Sequence, residues 1–132
     1  MASSTDQMSI QSLRRRKTMS IASGAAISDI LDLAGYWIAA IDWASGTTVN
    51  TPMTFQGSQD ATTFYNLYDD AGTEVTIASG AFATADARAI IPGFSLSAQL
   101  LTHRWLKFRR GPATAPASTT QAVSFDVVLG NL

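Results

Sequence analysis

Hydrophobic and polar positions alternate over short runs along most of this chain, and turn-forming residues separate the runs. GYWIAAIDW (35–43) is aromatic and β-branched and ends at ASG (44–46), which predicts a strand and a turn. PMTFQGSQ (52–59) opens on Pro52, a residue that a strand tolerates in first position. SQDA then turns the chain, TFYNLYD (63–69) runs back, and DDAG closes a second turn before TEVTIAS (73–79). ARAIIP (87–92) is a short strand stopped by Pro92 and Gly93, and SLSAQLL (95–101) has the spacing of one or two helical turns. In HRWLKFRR (103–110) Trp105, Leu106 and Phe108 are interleaved with Arg104, Lys107 and Arg109. The loop PATAPASTT follows, and QAVSFDVVLG (121–130) is the final strand. About seven or eight short strands at roughly 8–12-residue spacing predict an all-β sandwich, jelly-roll-like.

The first twenty residues break that texture. MASSTDQMSIQSLRRRKTMS is rich in Ser, Thr and Gln, and Met8, Ile10 and Leu13 do not cover a face, so the segment is not expected to fold alone. The predicted organisation is therefore an extended basic arm over 1–20 and a sandwich domain over 21–132, with the arm removable without unfolding the sandwich.

At 132 residues the chain suits one domain with one core. Charged residues make up 14%, below the roughly 25% of soluble domains. A surface poor in charge suits a protein that meets other protein in an assembly. The charge is also unevenly placed. Residues 1–22 hold Arg14, Arg15, Arg16 and Lys17 against Asp6, a net +3, and the remainder holds five basic residues against nine acids, a net −4. A basic arm on an acidic body calls for a partner. With no cysteine, disulfides and thiolate metal sites are excluded. No apolar run approaches the roughly 20 residues of a membrane span, and the sequence after RRRK is too polar for a secretory signal.

Candidate chemistry is sparse. There is one histidine, His103, and no zinc-protease, phosphate-loop or nucleophile-elbow motif. Asp69 and Asp70 suggest a carboxylate pair, but neighbours on a strand point to opposite faces, and Asp-Asp-Ala-Gly fits turn chemistry better. Calcium on Asp60, Asp69 and Asp70 is a weaker alternative. No catalytic residue, cofactor site or metal site is assigned. Trp37, Trp43, Phe64, Tyr65 and Tyr68 suggest a sugar platform, against which half of them should face inward. Nucleic acid is disfavoured as partner of the basic arm, because the body is acidic and no aromatic residues interleave the basic ones.

From about Gly35 to Leu129 the chain resembles a group of small tailed-bacteriophage virion proteins, head decoration or head-fibre-like. The resemblance is carried by the strand ending in Trp43, by MTFQGSQDATTFYNLYDDAGTEVTI, by RAIIPGF and by HRWLKFRRGPATAPASTTQAVSFDVVL. Trp105 stands where the group commonly has Tyr, and Arg110 where it commonly has Ser. The resemblance implies a non-enzymatic structural protein on the virion, made in the host cytoplasm, decorating or stabilising a capsid. The low charge and apolar body predict self-association, which would bury exposed sandwich faces, with a trimer by analogy to phage fibres and spikes. A carbohydrate-binding adhesion module is the alternative. The arm is expected to anchor the protein to the shell protein. Arg14, Arg15, Arg16 and Lys17, spanning roughly 13 Å when extended, would meet the acidic walls of a groove, while Met8, Ile10, Leu13 and Met19 would be buried against the partner.

Overall fold

The alternation of β9 (Val123–Gly130) shows how the fold is built: Val123, Phe125, Val127 and Leu129 are buried, while Ser124, Asp126 and Val128 point outward. The computed structural model describes residues 14–44, 50–82, 86–118 and 121–130. Among them β9 lies between β1 (Arg14–Ile21) and β3 (Trp37–Trp43), with β7 (Arg88–Ile90) on the far side of β3, as a four-stranded sheet. The second sheet runs β2 (Leu31–Asp32), β8 (Trp105–Arg110), β4 (Met53–Ser58) and β5 (Tyr65–Asn66), and β6 (Thr76–Ile77) also pairs with β4. All pairings are antiparallel. The two sheets pack into a β-sandwich. Pairing is nested: β1 lies on β9, β2 on β8, β3 on β7, and β4 on both β5 and β6.

A chain of aromatic rings joins the sheets. Phe82 lies 4.7 Å from Trp43 between ring centroids, Trp43 lies 5.4 Å from Phe125, Phe125 lies 5.1 Å from Phe108, and Phe108 lies 5.2 Å from Phe55. These are favourable tilted and edge-on separations. A bulge between Ile38 and Ala40 turns both Ala39 and Ala40 outward, so Ile38 and Ile41 can both be buried although they are three positions apart. The helix α1 (Phe94–Leu100) is fastened to β3 where Ser97 Oγ donates to the Ile38 carbonyl at 3.0 Å, and it buries Leu100.

The expected boundary between arm and sandwich is corrected. Residues 14–20 are not an arm but most of β1, in unbroken register with β9 from Arg14↔Gly130 to Ile21↔Val123. Met19, expected against a partner, is completely buried in the chain's own core beside Ile21. An edge strand needs only its inward side chains to be apolar, and charged side chains are what such edges commonly carry. Four basic residues therefore do not argue against a strand here. Met8, Ile10 and Leu13 lie outside the described residues. The other predicted elements recur in shortened form: TFYNLYD forms only β5 and an isolated bridge between Tyr68 and Glu74.

Candidate functional site

The four basic residues of β1 divide by face. Arg16 points outward across the sheet, where its guanidinium pairs with Asp42 on β3 and reaches Asp126 on β9 at 3.4 Å. Thr18 Oγ1 donates to the same Asp126 at 2.7 Å. Arg16 thus has its counter-charges within its own chain, contrary to the expectation that all four positive charges await a partner. On the opposite face Arg15 lies over the Tyr36 ring at 5.3 Å, within cation–π range. Arg14 and Lys17 are exposed and form no ion pair among the described residues. Arg15, Arg16 and Lys17, together with Ile30, Leu31, Asp32 and Leu129, line a cavity of about 150 Å³ between the edges of the two sheets.

The acidic candidates serve turns. Asp69 Oδ1 accepts the N–H groups of Ala71 and Thr73, each at 2.9 Å, and Gly72 takes φ +80° in the same turn, a left-handed conformation that glycine adopts without strain. Asp60 Oδ1 accepts the N–H groups of Thr63 at 2.8 Å and Thr62 at 2.9 Å and the Ser58 hydroxyl at 2.9 Å. Those bonds, the backbone ones foremost, hold its carboxyl below the usual range. Asp32 is lowered chiefly by its hydrogen bond from Arg104, whose Nε and Nη2 reach its two oxygens at 3.0 and 3.2 Å. Among the described residues no three His, Cys, Asp or Glu side chains come together as a metal site. Asp60, Asp69 and Asp70 are therefore not gathered.

His103 packs against β4 at Gly57. A Cβ built on Gly57 would lie 2.7 Å from the His103 Cγ and 2.9 Å from its Cβ, and no side-chain rotation moves the latter. Its Nδ1 is 2.9 Å from the Thr102 hydroxyl. Gly57→Ala is therefore expected to destabilise the fold by about 1–3 kcal/mol through overpacking, and in a His103→Gly background, where both the Cγ and the Cβ are gone, the same substitution is expected to lose most of that cost. Urea melts of the two single variants and the double variant measure this. Equal loss in Gly57→Ala with and without His103 would place the strain elsewhere.

Two arginines that the sequence reading left unassigned are buried. Arg109, 2% exposed, extends outward from β8 and donates from Nε to Thr54 Oγ1 at 3.0 Å, from Nη1 to Asn66 Oδ1 at 2.7 Å and from Nη2 to Glu74 Oε2 at 2.7 Å. Glu74 also accepts the Ala113 N–H at 3.0 and 3.1 Å. The cluster ties β4, β5, the approach to β6 and the loop after β8 together. Arg110 points into the sandwich end and donates to the carbonyls of Ala25 at 2.6 Å and Gln121 at 3.1 Å, and burial lowers its pKa. The sequence shows only that Thr54 and Arg109 are polar within strands; that they face each other comes from the register of β4 with β8.

The five aromatics do not form one platform. Trp43 is core, Trp37 stands at the other end of the same strand edge-on to Phe94 at 6.0 Å, and Phe64 lies under the Lys107 ammonium at 4.2 Å. Tyr65 and Tyr68, 62% and 48% exposed, do share an open cavity of about 340 Å³ with Gln99, Thr102 and His103. Comparison of the chain with known protein families, curated proteins and solved structures finds no match.

Proposed function

We propose that this is a non-enzymatic structural protein of a phage virion, a jelly roll that decorates or stabilises the capsid through contact with the shell protein. The observation that carries the reading is the use to which the chemically capable side chains are put. Asp60 and Asp69 hold turns, Glu74 and Asp32 hold arginines, and His103 fills the space beside Gly57. The residues that carry the resemblance are framework. Nested pairing, first strand with last and second with next-to-last, supports the jelly roll, because one long hairpin rolled across two sheets produces that order. Ile91 and Phe94, close in sequence and 75% and 76% exposed, are apolar side chains that self-association would cover, as a trimer by analogy with fibres and spikes. The test is a cryo-EM map of particles carrying the protein, which should place the sandwich on the shell. A map in which the shell lacks it would remove the reading.

The second reading, a carbohydrate-binding adhesion module, is favoured by one observation, the open cavity between Tyr65 and Tyr68. A glycan array is expected to give no saturable binding by the wild type. Saturable binding that is lost in Tyr65→Ala/Tyr68→Ala, with the melt unchanged, would establish adhesion instead.

A further inference from the structure

The backbone of β1 has one side on β9 and the other at the open edge of its sheet. Ser20 fixes which groups face the edge. Its N–H donates to Asp29 Oδ1 at 3.1 Å and its carbonyl accepts the Asp29 N–H at 3.3 Å, so both point away from β9. In an antiparallel ladder the outward pair recurs at every second residue, and the register with β9 is unbroken from Arg14↔Gly130 to Ile21↔Val123. Thr18, Arg16 and Arg14 therefore present their N–H and C=O groups outward as well. The segment around Asp29 covers the edge at Ser20 and stops there. No described residue bonds the backbone of the other three.

The side chains say what the edge would accept. Arg16 is satisfied by Asp42 and Asp126 on the outer face. Arg15 and Lys17 share the other face, have no carboxylate within ion-pair distance among the described residues, and stand beside the cavity that Ile30 and Leu129 also line. Asp32 lines the same cavity and feels the Arg15 charge, but both its oxygens are held by Arg104, so Lys17 and much of Arg15 remain to be countered from outside. A second copy of this chain is a poor occupant. Two-fold pairing of β1 about Arg16 would set Arg15 opposite Lys17, and like charges directly opposite destabilise a strand pair. An acidic strand has the opposite sign at the same positions.

We propose that the edge of β1 that the described residues leave open, residues 14–18, is an addition site for an extended acidic segment of a partner protein. The incoming strand takes the outward backbone groups of Arg14, Arg16 and Thr18, and its carboxylates, two residues apart on one face, meet Arg15 and Lys17. Backbone bonds supply the affinity and the alternate charges supply the choice of partner. The edge accepts such a strand whether or not the protein sits on a capsid, so the test needs only the isolated full-length chain.

The probe is a short labelled peptide of alternating glutamate and threonine, followed by fluorescence anisotropy and by amide hydrogen exchange. Saturable binding is expected, with exchange slowed at the amides of Arg14, Arg16 and Thr18. A peptide with every threonine replaced by proline keeps the charge but loses those backbone donors, and is expected to bind at least about tenfold more weakly. Lys17→Glu, at an exposed position, is expected to fold normally and to weaken binding by roughly fivefold to tenfold. Absence of saturable binding would overturn the proposal. Equal affinity for the proline peptide would reduce the site to bulk charge, and unprotected edge amides would move the contact elsewhere. Tighter binding of a single-stranded oligonucleotide would make the partner a nucleic acid, against the proposal.

Discussion

Arg109→Met is expected to destabilise the fold by roughly 3–5 kcal/mol, the usual cost of removing one member of a buried ion pair. The side chains of Arg109 and Glu74 are 3% and 13% exposed, so solvent cannot take over the role of the guanidinium. The substitution strands the Glu74 carboxylate with the Ala113 N–H as its remaining described donor and takes donors from Asn66 and Thr54. Thr54 still donates to the Gly111 carbonyl at 2.6 Å, and Asn66 still accepts from Gln56 at 3.2 Å, so the main deficit is the uncompensated charge. Arg109→Met/Glu74→Leu removes that charge, and its cost is expected to fall to about 1–2 kcal/mol, left by the polar groups that lose partners. Urea denaturation followed by tryptophan fluorescence measures both variants, and the difference between them isolates the charge. A single variant within about 0.5 kcal/mol of wild type, the range of ordinary surface changes, would mean that the pair is hydrated in solution.

How much of this was legible follows from where each residue's partner lies. β9 throughout, and β8 at Leu106 and Phe108, carry their inward positions as alternating large apolar residues, and a period of two needs no tertiary information. β1 does not. Only Met19 and Ile21 of its eight residues are buried, and its basic run resembles the solvated arm that its composition suggests. What makes it a strand is β9, about a hundred positions away in the chain, which no local pattern names. The bulge at Ala39 and Ala40 was hidden for a similar reason: strict alternation puts Ile38 and Ile41 on opposite faces, and only the pairing of β3 with β9 shows both inside. The candidate site was legible as residue types and not as geometry. Turn acids could be assigned from Asp-Asp-Ala-Gly, since those bonds are local. The pairing of Arg16 with Asp42 and Asp126, and of Arg109 with Glu74, joins residues far apart in sequence. It could not be read from spacing.

Deleting residues 1–20 is expected to abolish cooperative folding, not merely attachment to a partner. The deletion takes all of β1 except Ile21 and leaves β9 with one flank bare, so that the N–H and C=O groups that faced β1 must find water. It removes Met19, which is 0% exposed in the core. Loss of such a side chain alone costs about 2–5 kcal/mol, and each backbone bond of the ladder adds about 0.5–1.5 kcal/mol. Against a typical total stability of about 5–15 kcal/mol, the sum is enough to unfold the domain. The expected observation is a broad, non-cooperative thermal transition with dye binding to exposed apolar surface at room temperature. Two point variants separate strand from arm. Met19→Asp buries an unpaired carboxylate between the sheets and is expected to reproduce the deletion. Lys17→Ala, two residues away on the same face but exposed, should stay within about 0.5 kcal/mol of wild type. A chain lacking residues 1–20 that still melts cooperatively near the original temperature would refute the place of β1 in the sandwich, and would return the basic run to the role of a detachable arm.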